Sequence, residues 1–80
     1  MTSKEEIIQL FKESVQEADP NVSVDSVTED TDIASLGLDS VMTMEVIGIM
    51  EERLNLRFPD EDLATIRSLK DLTALVERIG

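Results

Sequence analysis

Eighty residues make one domain near the lower limit for a self-supporting core, since a chain this short hides roughly 60% of the surface it exposes when unfolded. With no cysteine and no histidine, the polypeptide offers no disulfide, no thiolate metal site, no catalytic thiol and no imidazole base. No apolar run approaches the roughly 20 residues that cross a bilayer, and the net charge of −11 repels nucleic acid and anionic membrane, so the expected partners are cationic proteins.

That charge is placed on one side of the sequence. From Glu13 through Glu52 there are eleven acidic residues and no Lys or Arg, whereas the rest of the chain holds seven of each sign. The whole net charge therefore belongs to the central segment. Met1-Thr2-Ser3-Lys4-Glu5 lacks the charged-then-apolar order of a signal peptide, which makes the cytoplasm the expected location. The starting Met1 and the absence of a Pro- or Gly-rich flank favour a discrete protein over an excised piece.

A first helix is expected from about Ser3 to Glu17. Ser3-Lys4-Glu5-Glu6 fits a capping box, Ile7, Ile8, Leu10, Phe11 and Val15 form an apolar stripe, and Asp19-Pro20 ends the run. Residues Ala18 to Asp39 form a long loop. Val22, Val24, Val27, Ile33, Leu36 and Leu38 are too irregular for a helix and too frequent for a free linker, so they anchor the loop over one end of the bundle. Asp30 and Asp32 match the first two ligand positions of a calcium loop, but its glycine position is Ser35 and its twelfth position is Val41, so the calcium-sensor pattern fails.

The loop ends in Leu36-Gly37-Leu38-Asp39-Ser40-Val41. Gly37 permits a sharp turn, and Asp39 or Ser40 caps the helix that follows, which leaves a hydroxyl at a solvent-facing tip. This second helix, about Ser40 to Asn55, is apolar around too much of its circumference for one-sided packing. Thr43, Val46, Ile47, Met50 and Leu54 form a core stripe. Val41, Met44, Glu45, Gly48 and Glu52 form a second stripe, part apolar and part acidic, that suits docking of a partner. Pro59 blocks this helix from continuing and Asp60 starts a short third one. Ser68-Leu69-Lys70-Asp71 opens a last helix with Leu69, Leu72, Leu75, Val76 and Ile79 inward. The fold expected is all-α: a four-helix bundle with three longer helices, a short third helix and a long loop between the first two.

Three readings of Ser40 compete. As a catalytic nucleophile it fails, because the nucleophile elbow needs glycine two residues before and after the serine, where this chain has Leu38 and Met42. As a mere helix cap it would leave an unmodified acidic interaction module. The third reading comes from resemblance: Leu36-Gly37-Leu38-Asp39-Ser40-Val41, Met44-Glu45, Glu51-Glu52 and Phe58-Pro59-Asp60 resemble the acyl carrier protein family over nearly the whole chain.

The resemblance implies that residues 1–80 are one acyl carrier domain, not itself an enzyme. Ser40, in its Asp39-Ser40 motif, would carry 4′-phosphopantetheine transferred from coenzyme A by a phosphopantetheinyl transferase. An acyl group would then ride as a thioester to the acyl-transferring, condensing and modifying enzymes of polyketide or fatty-acid type biosynthesis. Those partners would meet the second helix through basic surfaces, at Val41, Met44, Glu45, Gly48, Glu51 and Glu52. A monomer is expected, with no nucleic acid, membrane or metal ion involved. Aminoacyl, aryl or peptidyl carriage is the alternative. Val41 stands where the family more commonly has Leu, Met42 where fatty-acid carriers often have an acid two after the serine, and Gly48 where a larger apolar residue is common.

Overall fold

Ser3 starts the first helix by the reciprocal bonding its sequence implies: its hydroxyl accepts from the Glu6 N–H at 3.2 Å and the Glu6 carboxylate accepts from the Ser3 N–H at 3.3 Å. Helix α1 then runs Lys4–Ala18, and Asp19 closes it by donating its N–H to the Val15 carbonyl. In this computed structural model residues 3–79 are described. Met1, Thr2 and Gly80, on which the expectations about the leader and the domain ends partly rest, lie outside the described residues. Helix α2 spans Ser40–Leu54, α3 Asp60–Leu63 and α4 Leu69–Ile79, with a 3-10 turn at Ile33–Leu36. Among the described residues the architecture is the expected four α-helices, three longer and one short.

Helix α1 packs against both α2 and α4. Its Ile7, Phe11 and Val15 meet Val46, Ile47 and Met50 of α2 and Leu69, Leu72, Leu75 and Val76 of α4 in one buried cluster, which Val27, Ile33 and Phe58 complete. Both aromatic residues of the chain are therefore in the core. Two buried hydroxyls were not foreseen: Ser14 and Thr73 donate to the carbonyls of Leu10 and Lys70 on their own helices, at 2.8 and 2.9 Å. Each is satisfied locally, so neither demands a polar partner across the core.

Two expectations about α2 need correction. Thr43, assigned to the core stripe, is only half-buried; its hydroxyl donates to the Asp39 carbonyl at 2.9 Å and so serves the helix start. Pro59 does not end α2, which stops at Leu54 because Asn55 adopts a left-handed conformation at φ 56°. The Leu56 N–H then reaches back to the Glu51 carbonyl at 3.1 Å, closing the helix in a Schellman arrangement four residues before the proline. Pro59 instead stands before α3, where its carbonyl accepts from Asp62 and Leu63.

The long loop is tied down at both levels expected of it and at one that was not. Val27 and Ile33 enter the core, while Val22, Val24, Leu36 and Leu38 pack half-buried against it. Beyond this apolar anchoring, its backbone is stitched to the α3–α4 connection. The Ile33 N–H donates to the Arg67 carbonyl at 2.9 Å, Leu69 to Thr31 at 3.1 Å and Lys70 to Glu29 at 2.8 Å, around an isolated antiparallel bridge between Asp32 and Ser68. Two backbone donors at the start of α4 are thereby satisfied by the loop rather than by water.

Asp71 holds the other side of this seam. Its carboxylate accepts from the backbone N–H groups of Arg67 and Ser68 at 3.0 and 3.2 Å, and these bonds hold its pKa below the usual aspartate value. A group whose folded pKa is depressed contributes stability that is present above its unfolded pKa and is lost as pH falls through the folded value. Asp71→Ala is therefore expected to destabilise the protein at pH 7, with the gap to the parent closing as pH falls below the ordinary aspartate range. Thermal melts of both proteins from pH 7 to pH 3 check it.

The packing sets a second expectation. Ile47→Ala and Met50→Ala remove buried core volume and should each cost about 2–5 kcal/mol, whereas Val41→Ala and Met44→Ala lie outside the core and should shift stability by no more than about 0.5 kcal/mol. Denaturant unfolding of the four variants measures the contrast.

Candidate functional site

The approach to Ser40 is built by three successive local devices. The 3-10 turn Ile33–Leu36 closes when Gly37 takes a left-handed conformation at φ 78° and donates to the Ala34 carbonyl. That φ, not crowding, is what calls for glycine, because a methyl group at Gly37 would meet nothing within 4 Å. Leu38 packs back against the core, and Asp39 then caps α2: its backbone is extended and its carboxylate accepts from the Met42 N–H at 2.8 Å.

The cap is therefore Asp39 and not Ser40. Ser40 occupies the first position of α2, exposed, with the capping duty already discharged by its neighbour. A hydroxyl at that position is not needed for the helix to start. Beyond the Asp39 cap, the first turn of α2 contains no acidic side chain, whereas the first turns of α1, α3 and α4 all do. A phosphate ester on the Ser40 oxygen would sit at the positive end of a 15-residue helix, with free backbone N–H groups nearby.

From Ser40 the outer stripe of α2 runs along the exposed side of the helix. Among the described residues Val41 and Met44, 74% and 58% exposed, are the large hydrophobic residues most open to solvent. Glu45, Gly48 and Glu52 are exposed with them. Glu51 departs from the expected face. It is half-buried, and its carboxylate accepts from the Phe58 N–H at 2.7 Å, so it ties the end of α2 to a buried aromatic residue.

The central acidic segment is also less uncompensated than its composition implies. Arg53, one residue beyond it, reaches from α2 to α1 and pairs with Glu17 at 2.6 Å and Glu13 at 3.5 Å. Sequence distance concealed this pairing, since the partners are 36 and 40 residues apart. A groove of about 660 Å³ lies at this end, lined by Glu5, Leu10, Arg53 and Leu54. It is a helix length, about 20 Å, from Ser40. Among the described residues no three acidic side chains converge as a metal site, and no helix is long and apolar enough to cross a membrane.

An exposed serine at the start of a helix, beside a stripe of exposed apolar and acidic residues, is an arrangement suited to a helical carrier domain. Comparison with known proteins agrees. The family model described as the phosphopantetheine attachment site matches residues 6–76. An acyl carrier protein from Kineococcus radiotolerans is 32% identical over 79 residues, covering 98% of this chain and 96% of that one. A conidial pigment polyketide synthase from Pestalotiopsis fici is 38% identical over 55 residues, which are 69% of this chain but only 3% of that protein. The crystal structure of an acyl carrier protein from Thermotoga maritima superposes with a TM-score of 0.83 at 28% identity, covering 95% of this chain and 88% of that one.

The chain belongs to the acyl carrier protein family, whose phosphopantetheine attachment domain holds 4′-phosphopantetheine covalently. When bound, that group supplies the terminal thiol that a chain without cysteine lacks, and an acyl group is carried on it as a thioester. The exposed Ser40 hydroxyl, at a helix start whose one nearby carboxylate, that of Asp39, is turned onto the Met42 N–H, could accommodate its phosphate. Proteins of this family work with synthases and other biosynthetic enzymes.

The charge arrangement carries its own test. Repulsion among the remaining central acids is relieved by screening as the Debye length falls from about 30 Å at 0.01 M to about 10 Å at 0.1 M ionic strength, so added salt should raise the melting temperature at neutral pH. Arg53→Ala frees two more acids. Because all three side chains are about half exposed, the loss should be modest, about 0.2–1 kcal/mol, but the salt dependence of melting should steepen. A variant that melts with the parent's salt slope would show that Arg53 does not offset the field.

Proposed function

We propose that residues 1–80 form one acyl carrier domain, not itself an enzyme, in which Ser40 carries the phosphopantetheine arm. The observation that carries this reading is the division of labour at the start of α2: Asp39 caps the helix, and Ser40 is left exposed with no structural task. Asp39 fixes the register of the first turn and therefore the direction in which the Ser40 oxygen points. A phosphopantetheinyl transferase modifies this oxygen using coenzyme A.

The partner face is the outer stripe of α2. Val41 and Met44 offer exposed apolar surface, worth roughly 1.5–3 kcal/mol for each side chain a partner fully buries, while Glu45 and Glu52 set register and speed encounter with basic surfaces. Glu51 contributes by fixing the C-terminal end of that helix. Acyl-transferring, condensing and modifying enzymes meet the protein here as a cytoplasmic monomer. The match to a segment of a polyketide synthase and to discrete acyl carrier proteins supports polyketide or fatty-acid type chemistry over aminoacyl, aryl or peptidyl carriage.

Incubation with coenzyme A and a broad-specificity phosphopantetheinyl transferase is expected to add one phosphopantetheine. Ser40→Ala should fold as the parent does and take up none. Intact-mass measurement decides it: modification surviving in Ser40→Ala, or never occurring in the parent, sinks the reading and leaves an unmodified interaction module.

Charge reversal tests the face. Glu45→Lys and Glu52→Lys should slow loading, mainly through the association rate and more at low salt than at high. Glu5→Lys and Glu77→Lys, exposed on α1 and α4, change the net charge equally and should slow it less. Equal slowing by both pairs would reduce the effect to the bulk field.

A further inference from the structure

Gly48 lies in the middle of the exposed stripe of α2, and nothing within the protein accounts for it. Among the described residues only Gly37 and Asn55 have positive φ, so no left-handed turn calls for a glycine at position 48. A methyl group built there would meet no atom within 4 Å, so no neighbouring element presses on the backbone either. Glycine in a helix interior is unfavourable relative to alanine. The position is thus locally destabilising without an internal reason.

The surroundings supply an external one. Residues at i, i+3, i+4 and i+7 on a helix frame the hole that receives a side chain from a facing helix; on this stripe those corners are Val41, Met44, Glu45 and Gly48. Val41 and Met44 are the exposed apolar walls. With glycine at the fourth corner that side of the hole has no side-chain wall, and a facing helix can come closer than the usual 8–10 Å between axes. Glu45 and Glu52 stand about one turn to either side of Gly48, exposed, and the ion pairs of the described residues involve neither.

We propose that Gly48 is a steric notch in the docking face, which admits a bulky apolar side chain from a partner helix that carries Lys or Arg about one turn to either side of it. The notch sets specificity by shape where Glu45 and Glu52 act by charge. This rests on the docking function assigned to α2 above, and deepens it by stating what the partner surface must present.

The test uses the full-length apo protein, coenzyme A and a broad-specificity phosphopantetheinyl transferase, with Gly48→Ala and Gly48→Leu compared with the parent. Gly48→Ala should melt at or above the parent's temperature and yet lower kcat/KM for loading by roughly threefold, and Gly48→Leu by roughly tenfold or more, with little salt dependence, as filling an occupied space requires. A Gly48→Ala protein that melts below the parent overturns the proposal, because the glycine then has an internal role. Equal slowing by Ala and Leu overturns it too, since that would be loss of helix flexibility rather than of room. If both Gly48 variants load at the parent rate while Glu45→Lys is slow, the notch fails and the docking face stands; if Glu45→Lys also loads at the parent rate, the docking face fails with it.

Discussion

The position of Ser40 depends on how a loop of some twenty residues, with one 3-10 turn as its regular element, is kept from wandering. A small core cannot do this alone, because Val22, Val24, Leu36 and Leu38 are only half-buried and their burial fixes distance better than orientation. Orientation comes from the backbone seam with the α3–α4 connection, in which Ile33, Leu69 and Lys70 donate across to Arg67, Thr31 and Glu29. Hydrogen bonds are directional where apolar contacts are not. The 3-10 turn, the left-handed Gly37 and the Asp39 cap then carry that fixed frame forward to the helix start in a few residues.

The second organising constraint is that α2 serves two surfaces. Its inner side supplies Val46, Ile47 and Met50 to the core, and its outer side leaves Val41 and Met44 in water. A helix committed on one side only would show a clean division between apolar and polar faces, as α4 does with its buried Leu69, Leu72, Leu75 and Val76. That outer side also exposes Glu45 and Glu52, while Arg53 at the far end of α2 pairs with Glu13 and Glu17 of α1.

Much of this was legible in the sequence because it is local. The capping box at Ser3, the stop at Asp19-Pro20, a cap at Asp39 or Ser40 and the two stripes of α2 all depend on residues within a turn or two of one another, where spacing alone carries the information. What was not legible is nonlocal or conformational. Arg53 finds Glu13 and Glu17 only after the helices pack, the seam joins backbone groups whose side chains have no say in it, and Glu51 looks like a second exposed acid until Phe58 is folded beneath it. Asn55 was read as the end of α2 but not as its cause, since a proline four residues on is the louder signal and a left-handed asparagine is the earlier one.

The Glu51 carboxylate has a bearing on how such a face can diverge. Glu45 and Glu52 are exposed and take part in none of the ion pairs among the described residues, so substitutions there alter what the protein meets while leaving its interior alone. Glu51, bonded to the backbone of Phe58, shares one side chain between the outer helix and the core. A substitution at 45 or 52 can therefore alter the outer face alone, whereas one at 51 also removes the acceptor that holds the turn before Phe58.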